Sequence, residues 1–226
     1  MKKHLVFFVL PALFISQALM AQKNNEVLFE SIEWTNIWIP SADNNDLPRV
    51  LLVGNSITQG YYPVVERGLK GKASIARYTT SRGIIDPVLF SEIRNLITQH
   101  KYAVIHFNNG LHGIEYDASE YEKGMKKLIR LLKKHGQGAE LIGATSTPVL
   151  PGFLHWKSDE YNQNLITTRN RIVMEVCHKY NIKVNDLYWA VHLKPELFSS
   201  DKIHYTPEGY KVLGEQTLQH IIDKLR

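Results

Sequence analysis

Five short runs of apolar and β-branched residues alternate along this chain with longer stretches patterned like helices. That alternation restricts the fold more than any other feature. Val50-Leu51-Leu52-Val53, between Arg49 and Gly54, is apolar at every position. A half-exposed strand shows every second residue to water, so a run without polar gaps belongs in a sheet covered on both faces. Residues 73–78, 102–107, 139–145 and 182–184 supply four more candidate strands, and helical patterns fall at 62–69, 87–100, 119–135, 159–180 and 207–224. In the third of these, Met125, Leu128, Ile129, Leu131 and Leu132 recur at helical spacing, with the lysines and Arg130 left for solvent. Strands separated by helices pair in parallel through helical crossovers. The predicted architecture is therefore α/β, a three-layer α/β/α sandwich with a mainly parallel five-stranded sheet. No internal period and no Pro-, Gly- or Ser-rich linker divides it. Residues 49–226 are expected to form one domain, with 22–48 an N-terminal extension packed on it.

Residues 1–21 read as an export signal: Lys2 and Lys3, the apolar stretch from Leu5 to Met20, then Ala21. Pro11 interrupts that stretch, so no stable membrane insertion is expected after cleavage. Losing two lysines and no acid takes the formal charge from +5 to +3, which is no electrostatic footprint for nucleic acid. Export to the periplasm or the medium of a bacterium is the expected localisation. The single cysteine, Cys177, excludes an internal disulfide and a cysteine zinc site. Neither a metal nor a cofactor is expected: there is no His-Glu-x-x-His pattern, and residues 54–60 lack the lysine of a phosphate loop and a second glycine at its spacing.

Ligands of open parallel sheets bind beyond the carboxyl ends of the strands. Small, polar and titratable residues collect there: Gly54-Asn55-Ser56, residues 79–83, Asn108-Asn109-Gly110 and Ser146-Thr147-Pro148. Before the last helix comes Ser200-Asp201-Lys202-Ile203-His204. Ser56 follows a strand and enters a helix, where backbone N–H groups favour developing negative charge. A serine hydroxyl needs a base to act as a nucleophile. His204 is the best base, with Asp201 three residues earlier to orient its imidazole. Gly-x-Ser or Asp-x-x-His alone is weak.

The two motifs together, in this order and about 145 residues apart, resemble the SGNH (GDSL-type) serine hydrolases over nearly all of residues 22–226. Residues 50–58 resemble the family's first block and 201–210, Asp-Lys-Ile-His-Tyr-Thr-Pro-Glu-Gly-Tyr, its last. The resemblance implies a flavodoxin-like SGNH hydrolase fold with Ser56 as nucleophile, His204 as base and Asp201 as orienting acid. It also implies an oxyanion hole from the N–H groups of Ser56 and Gly83 and an asparagine amide. Residues 106–112, His-Phe-Asn-Asn-Gly-Leu-His, stand where the family usually has Gly-x-Asn-Asp; Asn108 is the favoured donor and Asn109 the second choice. Asn55 replaces the usual aspartate and is read as a tolerated turn-former.

Other residues stay open between binding and packing. His112 and Trp156 are candidate substrate contacts. Trp34 and Trp38 cap a core edge or line a sugar site, and Arg82 holds an acidic group or a surface ion pair. His106 and Cys177 read as core residues, and Arg169, Asn170 and Arg171 as a solvated helix face. The expected function is a serine esterase acting on small acyl esters, acetyl foremost, of carbohydrate or polysaccharide. A catalytically silent carbohydrate-binding protein on the same scaffold is the alternative. A nucleotide-binding domain is a distant third, and the oligomeric state is not readable.

Overall fold

The computed structural model describes residue 27, residues 29–154 and residues 157–225; the expected signal segment and Trp156 lie outside them. Thirteen elements follow in order. They are β1 (Thr35–Trp38), β2 (Arg49–Gly54), α1 (Ser56–Gly68), β3 (Ser74–Thr80), α2 (Pro87–Gln99), β4 (Val104–Phe107) and α3 (Ala118–His135). Then come β5 (Glu140–Ala144), α4 (Asp159–Lys179), β6 (Lys183–Asn185), α5 (Leu187–Val191), a 3₁₀ turn (Pro195–Leu197) and α6 (Pro207–Leu225). The sheet order is β1-β3-β2-β4-β5-β6. All pairs are parallel except β1 with β3.

The α/β/α expectation holds, but the sheet has six strands rather than five. The additional strand, β1, lies in the segment read as an extension and pairs antiparallel with β3 from Thr35↔Thr80 to Trp38↔Arg77. Its side chains are largely exposed, so it lacks the apolar run that marks the central strands. Trp38 is more than half exposed under the Arg77 guanidinium, and Trp34 is half-buried.

β2 shows how one strand serves two cores. Val50 and Leu52 face α1 and α6, together with Ile75, Val104 and Ile142. Leu51 and Val53 face α2, α3 and α4, together with Tyr78, Ile105 and Phe107. All four of these side chains are buried, which is the two-sided covering their sequence requires. Helix starts are fixed by side chains: Asp86 caps α2 before Pro87, Asp117 and Glu120 form a reciprocal box on α3, and Ser158 caps α4. Helix α1 begins six residues earlier than its apolar spacing predicts, because Asn55 caps it at Ser56.

Candidate active site

Three strand ends and the turn before α6 meet at one edge of the sheet. At the end of β2, Asn55 accepts a hydrogen bond from Ile57 N at 3.0 Å and starts α1. Gly54 is required there, since an added Cβ would lie 2.0 Å from Thr58 Oγ1. The asparagine thus performs the capping an aspartate would, through one oxygen, while its buried Nδ2 has no partner among the described residues. Ser56 is left at the first position of α1, beside helix N–H groups that carry partial positive charge.

The turn at 199–204 supplies the other two groups. Lys202 adopts φ +70°, a left-handed conformation that is strained for a lysine. It folds the chain so that Asp201 Oδ1 accepts from Ser199 Oγ (2.7 Å), Ile203 N (3.1 Å) and His204 N (2.9 Å). Asp201 Oδ2 then lies 2.6 Å from His204 Nδ1, and His204 Nε2 lies 2.8 Å from Ser56 Oγ. Partial burial opposes the Asp201 charge, but the Ser199 hydroxyl, the His204 N–H and ring, and the Ile203 N–H outweigh it. Together they hold the carboxyl well below the usual carboxylate range. With Nδ1–H committed to a carboxylate, Nε2 can take the hydroxyl proton.

The other expected donors lie in the loops that follow β3 and β4, the parallel neighbours of β2, at the same edge of the sheet. The N–H groups of Ser56 and Gly83 donate to no other described residue. Gly83 follows β3 and is buried; a Cβ on it would meet the Tyr116 ring at 2.6 Å and Gly113 Cα at 3.2 Å. The loop after β4 carries both asparagines, each buried. Asn108 Nδ2 donates to Ala144 O at 2.8 Å and stands 3.3 Å from Ser146 Oγ. An amide nitrogen has two hydrogens, so the strong bond to Ala144 orients the group and the second, longer one is exchangeable. Asn109 Nδ2 donates instead to Arg82 O at 2.9 Å, tying this loop to the residue before Gly83.

Helix α4 corrects one expectation. Arg169 and Asn170 are not on a solvated face; both are buried, and only Arg171 is exposed, beside Glu175. Arg169 donates to Gly110 O (3.1 Å), His112 O (3.0 Å), Gly113 O (2.6 Å) and Tyr116 O (3.4 Å), with its guanidinium 4.8 Å from the Tyr121 ring centre. Asn170 clamps Ser146 N and O at 2.7 and 2.8 Å. The signal was present: Arg169 falls three residues after Ile166 and three before Ile172, on the apolar stripe. Glu30 is a second residue the sequence did not point to. Its carboxylate reaches His112 Nδ1 at 2.7 Å. Arg82 pairs with Asp86 at 2.8 Å. His106 is fully buried and accepts from Asn185 Nδ2 at 3.1 Å. Among the described residues no cluster of His, Cys, Asp or Glu could hold a metal ion, and no helix is long and apolar enough to cross a membrane.

The family model for the GDSL-like lipase/acylhydrolase family matches residues 52–212. Several solved structures share the fold. A lipase/acylhydrolase from Enterococcus faecalis aligns with a TM-score of 0.66 at 18% identity, over 80% of this chain and 98% of that one. An acetyl-xylooligosaccharide esterase from Geobacillus, as a variant, aligns at 0.63 and 18% over 77% and 94%. A GDSL-like lipase from Bacteroides thetaiotaomicron aligns at 0.62 and 16% over 77% and 88%. Among curated proteins none matches by sequence.

Proposed function

The chain belongs to the GDSL-like lipase/acylhydrolase family, and on that premise we propose that it is an exported serine esterase removing small acyl groups, acetyl foremost, from carbohydrate. The observation that carries the reading is the continuous line Ser56–His204–Asp201, with bonds of 2.8 and 2.6 Å, ending on a serine at the first position of α1. Ser56 Oγ attacks the ester carbonyl carbon as its proton passes to His204 Nε2. The carbonyl oxygen takes up the negative charge and is held by Ser56 N–H, Gly83 N–H and the second N–H of Asn108. Collapse breaks the bond to the sugar oxygen, which leaves with the proton from Nε2. Water then attacks the acyl-serine with His204 as base, releasing the acid and restoring Ser56. Asn55 supports activity rather than silence, because the helix start it caps is the one the serine needs. The acetyl and carbohydrate parts of the reading draw support from the acetyl-xylooligosaccharide esterase of the same fold.

The test is acetate release by a chain lacking residues 1–21 from acetylated xylan and pectin, beside Ser56→Ala, with fluorophosphonate labelling followed by mass spectrometry. Release that disappears in the variant, with the label on Ser56, is expected. Absence of both release and label would overturn the enzyme reading in favour of a binding protein. Label without acetate release would keep the mechanism and reject the ester.

A further inference from the structure

A cleft of about 490 Å³ opens beside the hydrogen-bonded line. One wall is Ile203, the neighbour of His204, and another is Leu111, which also lines the small cavity next to Asn108. Phe153 and Phe29 add to its apolar surface, and Glu30 and His112 belong to its polar part, with Ser31 and Glu115. Phe29 and Glu30 come from the N-terminal arm, more than 170 residues from His204. The arm is pinned in place: Ser81 N donates to Trp34 O at 3.1 Å, Trp34 N donates to Ser81 Oγ at 2.9 Å, Ser81 Oγ donates to Glu33 Oε2 at 2.9 Å, and Glu30 N donates to Glu33 Oε1 at 2.9 Å. His112 is held from behind, its carbonyl by Arg169 and its ring edge-on to Trp34 at 6.4 Å.

We propose that this cleft binds the glycosyl part of the ester, with Phe29 covering a pyranose face and the Glu30–His112 pair bonding its hydroxyls. The proposal rests on the esterase reading above and names what selects its substrate. Three features favour a sugar over an acyl chain. The volume lies in the range of ligand clefts and far exceeds an acetyl group. A carboxylate–imidazole pair in the wall offers paired acceptor and donor positions to vicinal hydroxyls, while a hydrocarbon tail would leave those groups desolvated and unpaired. Phe29 is 70% exposed, and a large ring held in water at a cleft mouth presents a flat apolar face that nothing in the described chain covers.

The experiment compares Glu30→Ala and Phe29→Ala with the wild type on acetylated xylo-oligosaccharides, p-nitrophenyl acetate and p-nitrophenyl hexanoate. Both side chains are exposed, so thermal unfolding should match the wild type. KM for the oligosaccharide is expected to rise about tenfold in each variant, the worth of one lost hydrogen bond or ring contact. Its kcat, and both constants for p-nitrophenyl acetate, should stay within about twofold, the signature of lost binding without lost chemistry. An unchanged oligosaccharide KM would overturn the cleft's role, as would equal losses on all substrates. A larger effect of Phe29→Ala on the hexanoate would assign the cleft to the acyl chain instead. Hydrolysis of p-nitrophenyl acetate without any acetate from sugar esters would overturn the carbohydrate reading together with the cleft's occupant. Sugar-ester turnover indifferent to both variants would overturn the cleft alone.

Discussion

Replacing Arg169 by methionine tests whether the loop after β4 is held in place by one buried cation. The side chain is 1% exposed, and its partners are four backbone carbonyls with no carboxylate. Burial disfavours its charge, but a guanidinium does not give up its proton in a protein. Three of the four bonds are 3.1 Å or shorter. Bonds from a charged donor contribute about 1.5–3 kcal/mol each, a gross ~4.5–9 kcal/mol. Removing the cation also removes its desolvation penalty of several kcal/mol, and the loop can open to hydrate the freed carbonyls. The net loss expected for Arg169→Met is therefore about 3 kcal/mol by urea unfolding. Arg169→Lys keeps the charge but places one nitrogen where two reached four oxygens, so about 2 kcal/mol should be lost. Because the same loop begins with Asn108 and Asn109, kcat on p-nitrophenyl acetate should fall about tenfold in both variants from misplaced oxyanion donors. A methionine variant within about 1 kcal/mol of wild type, or a lysine variant indistinguishable from it, would refute the clamp.

Three further outcomes follow from single residues. Asp201→Asn should lower kcat/KM about 10³–10⁴-fold, since an amide no longer fixes the proton on His204 Nδ1; because the Asp201 carboxyl is held well below its usual range, it is already ionised throughout the acid limb of the wild-type pH–rate profile. That limb should show the slope of a single proton, and a two-proton slope would contradict the assignment. His106 is fully buried, and burial, with a smaller push from His220, lowers its pKa from 6.5 to about 3; the unfolded chain therefore binds a proton below pH 6.5 that the folded chain refuses until about pH 3, and stability falls as pH drops through that window. The loss is about 2 kcal/mol between pH 7 and pH 5, and His106→Gln should flatten the curve by that amount in denaturant titrations at the two pH values. Lys202→Val should destabilise by about 1–3 kcal/mol, because a β-branched residue resists the left-handed conformation, and should lower kcat as His204 moves; unchanged unfolding and kinetics would show the turn tolerates another path.

The sequence made the central strands legible because burial on both faces leaves no alternation to misread: the run at 50–53 is buried at all four positions. It hid β1 because an edge strand paired on one side has little apolar demand, and residues 35–38 are mostly exposed. It hid the true start of α1 because Thr58, Gln59 and Gly60 separate Ile57 from the later apolar positions, whereas the cap at Asn55 fixes the start. Arg169 and Asn170 were hidden by their chemistry. Charged and amide side chains on a helix default to solvent, and only carbonyl-rich loops packed against α4 reverse that default.

The legibility of the candidate site follows the sequence distance its bonds must span. Asp201 is about half exposed, where an ion pair is screened and contributes little by itself. The imidazole is instead aimed by a turn six residues long, in which Asp201 Oδ1 takes three donors and leaves Oδ2 for Nδ1. All the information for that geometry sits in residues 199–204, so a short motif reveals it. The asparagines after β4 differ: their amide directions are set by Ala144 and by Arg82, 36 and 27 residues away. The Glu30–His112 contact spans 82 residues, and no motif of local length could have announced it. Geometry preorganised within a turn can be read from the chain; contacts built from distant loops have to be read from the fold.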